Sequence, residues 1–278
     1  MSTVTVTPEI RPYVQVENLV ARYGNRTILD GVSCSARRGE ITVILGESGS
    51  GKTTLLRHIV GLLTPAAGRV FIAGRDLHSA SEEEQEVILR NVGMSFQGSA
   101  LFNSMTLEEN IALPITEHLQ ADHETARTLA RMKLALVGLE RAAHLVPSEI
   151  SGGMKKRAAV ARALALDPTL LLFDELSAGL DPVTARELDE LVLRLKAQFD
   201  MAIMVVTHEL SSIQMIADQA VMLHGGKVIA AGMLEEVRSL DHPQVRAFFD
   251  RRPRPTTVQR GLLEALLING ESYGKNKT

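Results

Sequence analysis

Three short runs of apolar residues along the chain end abruptly in polar residues. They are Ile41–Leu45 before Gly46, Leu170–Phe173 before Asp174, and Met201–Val206 before Thr207 and His208. Continuous apolar runs of this length are typical of strands that are covered on both faces, as in a parallel sheet. Ligands bind beyond the carboxyl ends of such strands. The pattern therefore predicts one site that collects the polar residues following all three runs.

Alternating apolar and polar residues predict antiparallel strands beside this core. The segments are Val14–Val20, Thr27–Ala36 and Arg69–Ile72, with a late hairpin of Ala220–Leu223 and Val228–Ala231. Helical spacing recurs in Glu82–Arg90, Glu108–Leu113, Thr125–Val137 and Pro182–Ala197. We therefore expect an α/β domain over residues 14–240, in which residues 96–157 form an inserted helical subdomain.

The pattern changes after Asp241, and we expect residues 241–278 to form a C-terminal extension. Arg251–Pro255 is a linker, Gly261–Ile268 is a short apolar helix candidate, and Asn269–Thr278 is polar. Because an isolated helix of this length is not stable in water, we expect Gly261–Ile268 either to dock on a partner or to fray.

Composition narrows the class of protein. The chain has 278 residues and a net charge of −3, which argues against a nucleic-acid partner that needs a broad basic face. Its single cysteine, Cys34, cannot form an internal disulfide, which fits a reducing compartment. The polar N-terminus lacks the apolar core of a signal peptide, and the longest apolar runs are far shorter than a membrane span of about 20 residues. If the protein acts at a membrane, another polypeptide spans it.

A phosphate-binding loop follows the first apolar run. The eight residues Gly46, Glu47, Ser48, Gly49, Ser50, Gly51, Lys52 and Thr53 match the pattern G-x-x-x-x-G-K-[ST] between a strand and a helix, and Thr54 continues into that helix. Glycines allow backbone N–H groups to point at phosphate oxygens, and the lysine brings positive charge to the terminal phosphates. The threonine hydroxyl is a ligand for Mg²⁺. The loop predicts a nucleoside triphosphate and Mg²⁺ as ligands.

Acid–base chemistry is predicted at the ends of the other two apolar runs. Asp174 is placed to hold Mg²⁺, and Glu175 to polarise the attacking water. His208 is placed to contact the terminal phosphate or to hold that water in line with Glu175. A lone histidine at a strand end is more often structural, so its function depends on the three strands converging.

Two further side chains have functional and structural interpretations. The amide of Gln97 can reach Mg²⁺ or water, and a hinge there would report the nucleotide state to the helical subdomain. The ring of Tyr23 can stack on an adenine face, or it is a half-exposed strand tyrosine.

A second glycine loop, Ser151-Gly152-Gly153, precedes a segment of strong helix formers that begins at Met154. The exposed N–H groups of a helix start attract an anion. This loop has no metal ligand of its own, so it suits a nucleotide held by another copy of the chain. Without the first loop, it would be an ordinary turn with a serine N-cap.

Together these motifs resemble the ATP-binding cassette (ABC) ATPase family over about Val14 to Gly232. The resemblance implies a RecA-like P-loop NTPase core with an antiparallel β subdomain and an inserted helical subdomain. It also implies two cassettes that meet head to tail, so that each ATP lies between one phosphate loop and the partner's Ser151–Gly153. Asp181 then communicates across the interface. Two positions depart from the family pattern: Ile150 replaces a leucine, and Leu176 replaces a proline after Glu175, which puts the geometry of that turn in question.

The stretches 92–106 and 109–114 are similar to the Mla/Mkl branch of the family. Residues 151–158, 177–182 and 245–250 support this resemblance. It implies an ATPase that moves phospholipids between the inner and outer membranes, at the cytoplasmic face of the bacterial inner membrane. Its implied partners are an integral membrane permease, an MCE lipid-binding protein and a small STAS-domain subunit. The alternatives are an ABC ATPase for another substrate, a soluble ABC protein of translation or repair, and a P-loop kinase outside the family.

Overall fold

The computed structural model of the chain describes residues 12–250. Its strands are β1 Val14–Tyr23, β2 Arg26–Ala36, β3 Ile41–Gly46, β4 Ala67–Ile72, β5 Arg75–Asp76, β6 Val92–Ser95, β7 Leu170–Asp174, β8 Ala202–Val206, β9 Gln219–His224 and β10 Lys227–Met233. Its helices are α1 Lys52–Ile59, α2 Glu82–Leu89, α3 Leu107–Leu119, α4 His123–Leu136, α5 Gly152–Ala163, α6 Pro182–Gln198, α7 Leu210–Ile216, α8 Leu234–Ser239 and α9 Pro243–Phe249. This mixture confirms the predicted α/β class.

The main sheet has the strand order β10-β9-β3-β8-β7-β6. All neighbouring strands from β9 to β6 run parallel, whereas β10 pairs antiparallel with β9. Every residue of β3, β7 and β8 is buried, as expected of strands that are covered on both faces. The three predicted core strands are therefore neighbours, and their carboxyl ends meet at one edge of the sheet.

A second, antiparallel sheet has the order β2-β1-β4-β5. Buried and more exposed residues largely alternate along β1, which leaves one face of the strand for the core. The early part of β2 approaches the phosphate loop, because a Cβ built on Gly51 would lie 2.4 Å from Leu29 Cδ2. This sheet thus contributes one wall beside the loop.

Helices α3, α4 and α5 pack on one another. A capping box at Thr106 begins α3, and the Asp122 carboxylate caps α4. Helix α3 continues through Pro114, although the spacing predicts its end at Leu113. Proline cannot donate a backbone hydrogen bond within the helix. The packing of the fully buried Ile115 compensates for that missing bond.

Residues 12–240 form one compact unit, and α9 belongs to a second unit that begins at Asp241. Between residues 12 and 250, no helix is both long and apolar enough to cross a membrane. The predicted linker Arg251–Pro255, the helix candidate Gly261–Ile268 and the tail Asn269–Thr278 lie outside the described residues.

Candidate functional site

The phosphate loop connects β3 to α1 with a backbone that requires glycine. Gly46 has φ of 143° and Gly51 has φ of 105°, and both values disfavour residues with a side chain. A Cβ on Gly46 would also lie 2.1 Å from the carbonyl oxygen of Leu223 in the neighbouring strand. Of the other loop residues, Ser48 and Gly49 are exposed and Glu47 is half-buried. Gly49 in the middle of the loop also has a positive φ, of 80°, so the loop conformation depends on glycine at three positions.

Lys52 folds back over this loop. Its Nζ donates to the carbonyl oxygens of Gly46 at 2.8 Å and Glu47 at 2.9 Å. Burial lowers the pKa of Lys52, and the nearby charges of Glu175 and Asp174 act in the opposite direction. A lysine ammonium has three donors, and these two bonds hold it at the place where a bound phosphate would need positive charge.

Thr53 and Asp174 bring oxygen ligands together beside the loop. The Thr53 hydroxyl donates to Asp174 Oδ1 at 3.1 Å. Burial raises the pKa of Asp174, and the hydrogen bond from Thr53 opposes that shift. A hydroxyl and a single carboxylate fit Mg²⁺, which usually keeps several waters and takes phosphate oxygens as ligands. Among residues 12–250, no group of three or more His, Cys, Asp or Glu residues could hold a metal ion.

The buried hydroxyl of Ser50 also fits a phosphate ligand. Its Oγ has no hydrogen-bond partner among residues 12–250, although the residue is only 4% exposed. Buried polar groups are normally hydrogen-bonded, so an unsatisfied hydroxyl inside an anion-binding loop indicates a missing partner. Thr54 lies in the first turn of α1, where its carbonyl oxygen is 2.8 Å from His58 Nδ1.

Glu175 and His208 meet beyond the ends of β7 and β8. His208 Nδ1 lies 2.9 Å from Glu175 Oε1. A carboxylate can only accept, so Nδ1 is the donor whenever Glu175 takes part in this contact as a carboxylate. The backbone of Glu175 has φ of 51°, and its N–H donates to the Val206 carbonyl oxygen at 2.9 Å. The structure thus brings together the polar ends of all three predicted strands.

Gln97 and Tyr23 are placed differently. The Gln97 side chain is exposed, and no hydrogen bond among residues 12–250 joins it to Thr53 or Asp174. Tyr23 pairs with Arg26 across the β1–β2 turn and is 49% exposed. Their predicted roles toward nucleotide and metal therefore stay predictions.

The Ser151–Gly153 loop caps α5. Ser151 Oγ accepts from the N–H of Met154 at 3.2 Å. A Cβ on Gly153 would lie 2.5 Å from Thr184 Cγ2 on α6, so the loop packs closely against that helix. Ser151 and Gly152 are exposed, and no hydrogen bond in the described part of the chain joins them to residues 46–54.

Asp181 caps α6 next to this loop. Its carboxylate accepts from the N–H groups of Val183 and Thr184, each at 3.1 Å, and from the Thr184 hydroxyl at 2.6 Å. Hydrogen bonds from Thr184 lower its pKa. Leu176, the departure after Glu175, is buried with 5% exposure, and the turn there is closed by the Ala178 N–H, which donates to the Glu175 carbonyl oxygen at 3.2 Å.

Two cationic residues near the site are not among the site residues predicted from the sequence. Lys156 and Arg162 on α5 both donate to backbone carbonyl oxygens of the segment after β6. Helical spacing places Lys156 in line with Ala159, Val160 and Ala163, which are all buried. A lysine on the apolar face of a helix was the signal that could have found it.

Comparisons with known proteins agree with this geometry. The family model for ABC transporters matches residues 29–178. The chain is 41% identical over 224 residues to the intermembrane phospholipid transport system ATP-binding protein MlaF of Haemophilus influenzae, covering 81% of this chain and 85% of the relative. It is 39% identical over 239 residues to the probable ribonucleotide transport ATP-binding protein mkl of Mycobacterium tuberculosis, covering 86% and 67%.

Solved structures give the same result. A dimeric structure of a bacterial ABC transporter cassette is similar with a TM-score of 0.73 and 30% identity, over 80% of this chain and 98% of that one. A nucleotide-free cassette from an ABC transporter has a TM-score of 0.75 and 28% identity, over 86% and 99%. The chain therefore belongs to the ABC transporter family, as a subunit that binds and hydrolyses ATP.

Proposed function

We propose that two copies of this chain enclose two ATP molecules, each held by the phosphate loop of one copy and the Ser151–Gly153 loop of the other. The observation that carries this proposal is the exposure of Ser151 and Gly152 at the start of α5, without a hydrogen bond to the chain's own phosphate loop. The N–H groups of a helix start attract an anion. The similarity to a dimeric cassette supports the same arrangement.

Within each site, the phosphate loop and Lys52 bind the phosphates. Thr53 and Asp174 would hold Mg²⁺, with Gln97 as a further ligand, and the ion when bound neutralises charge on the phosphate oxygens. The unsatisfied Ser50 hydroxyl donates to a phosphate oxygen. Tyr23 stacks on the adenine base, for which its exposed ring is available.

Glu175 acts as the general base. His208 Nδ1 donates to Oε1 of Glu175, which leaves Oε2 to accept a proton from the attacking water. The bond also holds the carboxylate in one rotamer. A positioned general base accelerates a reaction by about 10²–10⁴-fold. Asp174 next to it stays with Thr53, so the two carboxylates have separate tasks.

A groove of about 870 Å³ between α2, α3 and the segment after β6 is a suitable site for the permease. Its apolar lining includes Phe96, Phe102, Leu113 and Pro114. Its charged lining has both signs, because Arg90 and Arg162 lie beside Glu82, Glu86 and Glu117, and Glu86 is paired with Arg90. Phe102 is 50% exposed although it is a large apolar residue. We infer that the apolar face of a short amphipathic helix of the permease binds this groove.

The proposed cargo is phospholipid. Identity of 41% to MlaF across more than four-fifths of both chains supports it, and the mkl relative supports a different substrate class with almost the same identity. In the first case the chain lies at the cytoplasmic face of the inner membrane. Its partners there are the permease, an MCE lipid-binding protein and a STAS-domain subunit.

Purification of the tagged full-length chain with its partners from native membranes tests the cargo. Mass spectrometry of the extract should find phospholipid enriched over the bulk membrane lipid, together with a permease, an MCE protein and a STAS-domain subunit. A mock purification without the tag is the control for carried-over lipid. Enriched ribonucleotide, or a chain that purifies without any permease, would contradict the proposed cargo in favour of the other transporter or the soluble ABC alternative.

A further inference from the structure

Two cations on α5 bind backbone carbonyl oxygens instead of carboxylates. Lys156 Nζ donates to the carbonyl oxygen of Gln97 and also to that of Glu175, at 3.3 Å for the latter. Arg162 donates through Nη1 to the carbonyl oxygen of Ala100 at 2.7 Å and through Nη2 to that of Ser99 at 3.1 Å. Four carbonyl groups from two loops are thus held by one helix.

The position of Lys156 is unfavourable for a cation unless its hydrogen bonds compensate. The residue is 7% exposed, and burial lowers its pKa, while the charges of Glu175 and Asp174 act in the opposite direction. In the described part of the chain, Lys156 has no ion pair within 4.0 Å. Its donors go to the backbone of Gln97 and Glu175, whose side chains have proposed roles as a Mg²⁺ ligand and as the base that activates water.

The segment that these cations bind has an unusual backbone. Ser99 has φ of 62° and Ala100 has φ of 50°, although neither is glycine. Residues in this conformation persist only where their surroundings hold them there. The two bonds from Arg162 and the bond from Lys156 are surroundings of this kind. They fix the path of the chain between Gln97 and the permease groove, which Ala100 and Phe102 line.

The same helix begins with the Ser151–Gly153 loop. At its other end α5 is anchored to β6, because a Cβ on Gly93 would lie 2.1 Å from the Ala163 carbonyl oxygen. Lys156 lies between these ends, one turn from the loop that serves the partner's nucleotide. A tilt of the N-terminal half of α5 would move Nζ relative to Gln97 and Glu175.

We propose that Lys156 is a positioning residue for hydrolysis, which couples contact between Ser151–Gly153 and the partner's ATP to the backbone positions of Gln97 and Glu175 in its own site. This inference rests on the proposed roles of Glu175 and Gln97. No hydrogen bond or ion pair in the described part of the chain joins the Lys156 side chain to residues 46–54, so we expect it to affect the chemical step and not the binding of ATP to that loop.

The test compares the ATPase activity of three variants of the full-length chain. The protein concentration is set where the parental rate per chain no longer rises with further protein. Lys156→Met keeps the apolar stem and removes the donors, and we expect kcat to fall about tenfold to hundredfold, with KM for ATP changed less than threefold, because small misplacements of reacting groups cost that much. Lys156→Arg restores charge and donors and should recover most of kcat. Lys155→Met, at the neighbouring half-buried lysine, is the matched control and should retain the parental kcat.

A parental kcat in Lys156→Met would overturn the inference. So would an equal loss in Lys155→Met, or a loss that Lys156→Arg does not recover, since either would indicate a general effect on the helix. If Lys156→Met does not melt cooperatively, Lys156→Gln takes its place. Glu175→Gln is measured in parallel to separate the two proposals. If Glu175→Gln still hydrolyses ATP at the parental rate, the proposed catalytic assignment is refuted. If Glu175→Gln loses turnover while Lys156→Met keeps the parental kcat, only the positioning role is refuted.

Discussion

Glu175 occupies a left-handed backbone conformation, with φ of 51°, at the end of β7. For a residue with a side chain this conformation costs about 1–2 kcal/mol. Glycine adopts this conformation without that cost. A glycine nevertheless lowers stability by roughly 0.5–1 kcal/mol relative to alanine, because it makes the unfolded chain more flexible. We therefore predict that Glu175→Gly is more stable than Glu175→Ala by about 0.5–1 kcal/mol.

The comparison of these two variants isolates the backbone. Both lack the carboxylate and its contact with His208, so both should lose turnover, and they differ only by one methyl group. Equilibrium urea denaturation followed by circular dichroism measures the difference. In thermal unfolding it corresponds to about 1–3 °C for a chain of this size.

A control with the opposite sign is available on α6. Glu190 is exposed within that helix and pairs only with the exposed Arg186 among the described residues. There Ala should be more stable than Gly by about 1 kcal/mol. If Glu175→Gly were no more stable than Glu175→Ala while the Glu190 pair behaved as expected, the strain argument would be refuted.

Two further predictions concern stability and pH. Glu108 is buried and accepts hydrogen bonds from Arg131 and Arg127, which outweigh burial and lower its pKa. Because solvent screens both arginines, which are more than half exposed, Glu108→Gln should lower the free energy of unfolding by only about 1–2 kcal/mol at pH 7. This difference in stability from the parent should shrink as the pH falls below about 4.3. A difference that does not change with pH would contradict the ion pairs. Burial raises the pKa of Asp189 against the hydrogen bond from Ser212. The ionised form of Asp189 therefore destabilises the folded state at pH values above the unfolded pKa of about 3.9. Asp189→Asn should gain stability relative to the parent as the pH rises through the folded pKa of Asp189. Urea titrations at several pH values measure this difference, and the absence of such a trend would refute the prediction.

The sequence predicts the core of the fold because burial on both faces leaves a simple pattern. Continuous apolar runs identify β3, β7 and β8, and the shared edge of a parallel sheet then places Asp174, Glu175 and His208 together. The phosphate loop is predicted from its own spacing. These inferences need only local patterns and one rule of sheet geometry.

Other features depend on packing between distant segments. β6 is a four-residue strand that contains Gly93, and its place in the sheet is set by β7 and by the close approach of Ala163. A strand that short has no reliable alternation. The passage of α3 through Pro114 likewise depends on burial of Ile115, which local spacing does not reveal.

Lys156 illustrates the same limit at the site. Its spacing places it on the buried face of α5, but only the folded chain brings the carbonyl oxygens of Gln97 and Glu175 to its Nζ. A lysine near a helix start is equally compatible with an anion-binding role. Its backbone partners come from segments 59 and 19 residues away in the chain.

The central claim is that Glu175 activates water in a site completed by a second copy of the chain. Phosphate release and light scattering of Glu175→Gln, with ATP and Mg²⁺, test it most directly. We predict ATP binding within threefold of the parent, turnover reduced by at least about 10²-fold, and a closed dimer that accumulates only with ATP. Turnover at the parental rate, or a variant that stays monomeric with ATP bound, would contradict this account.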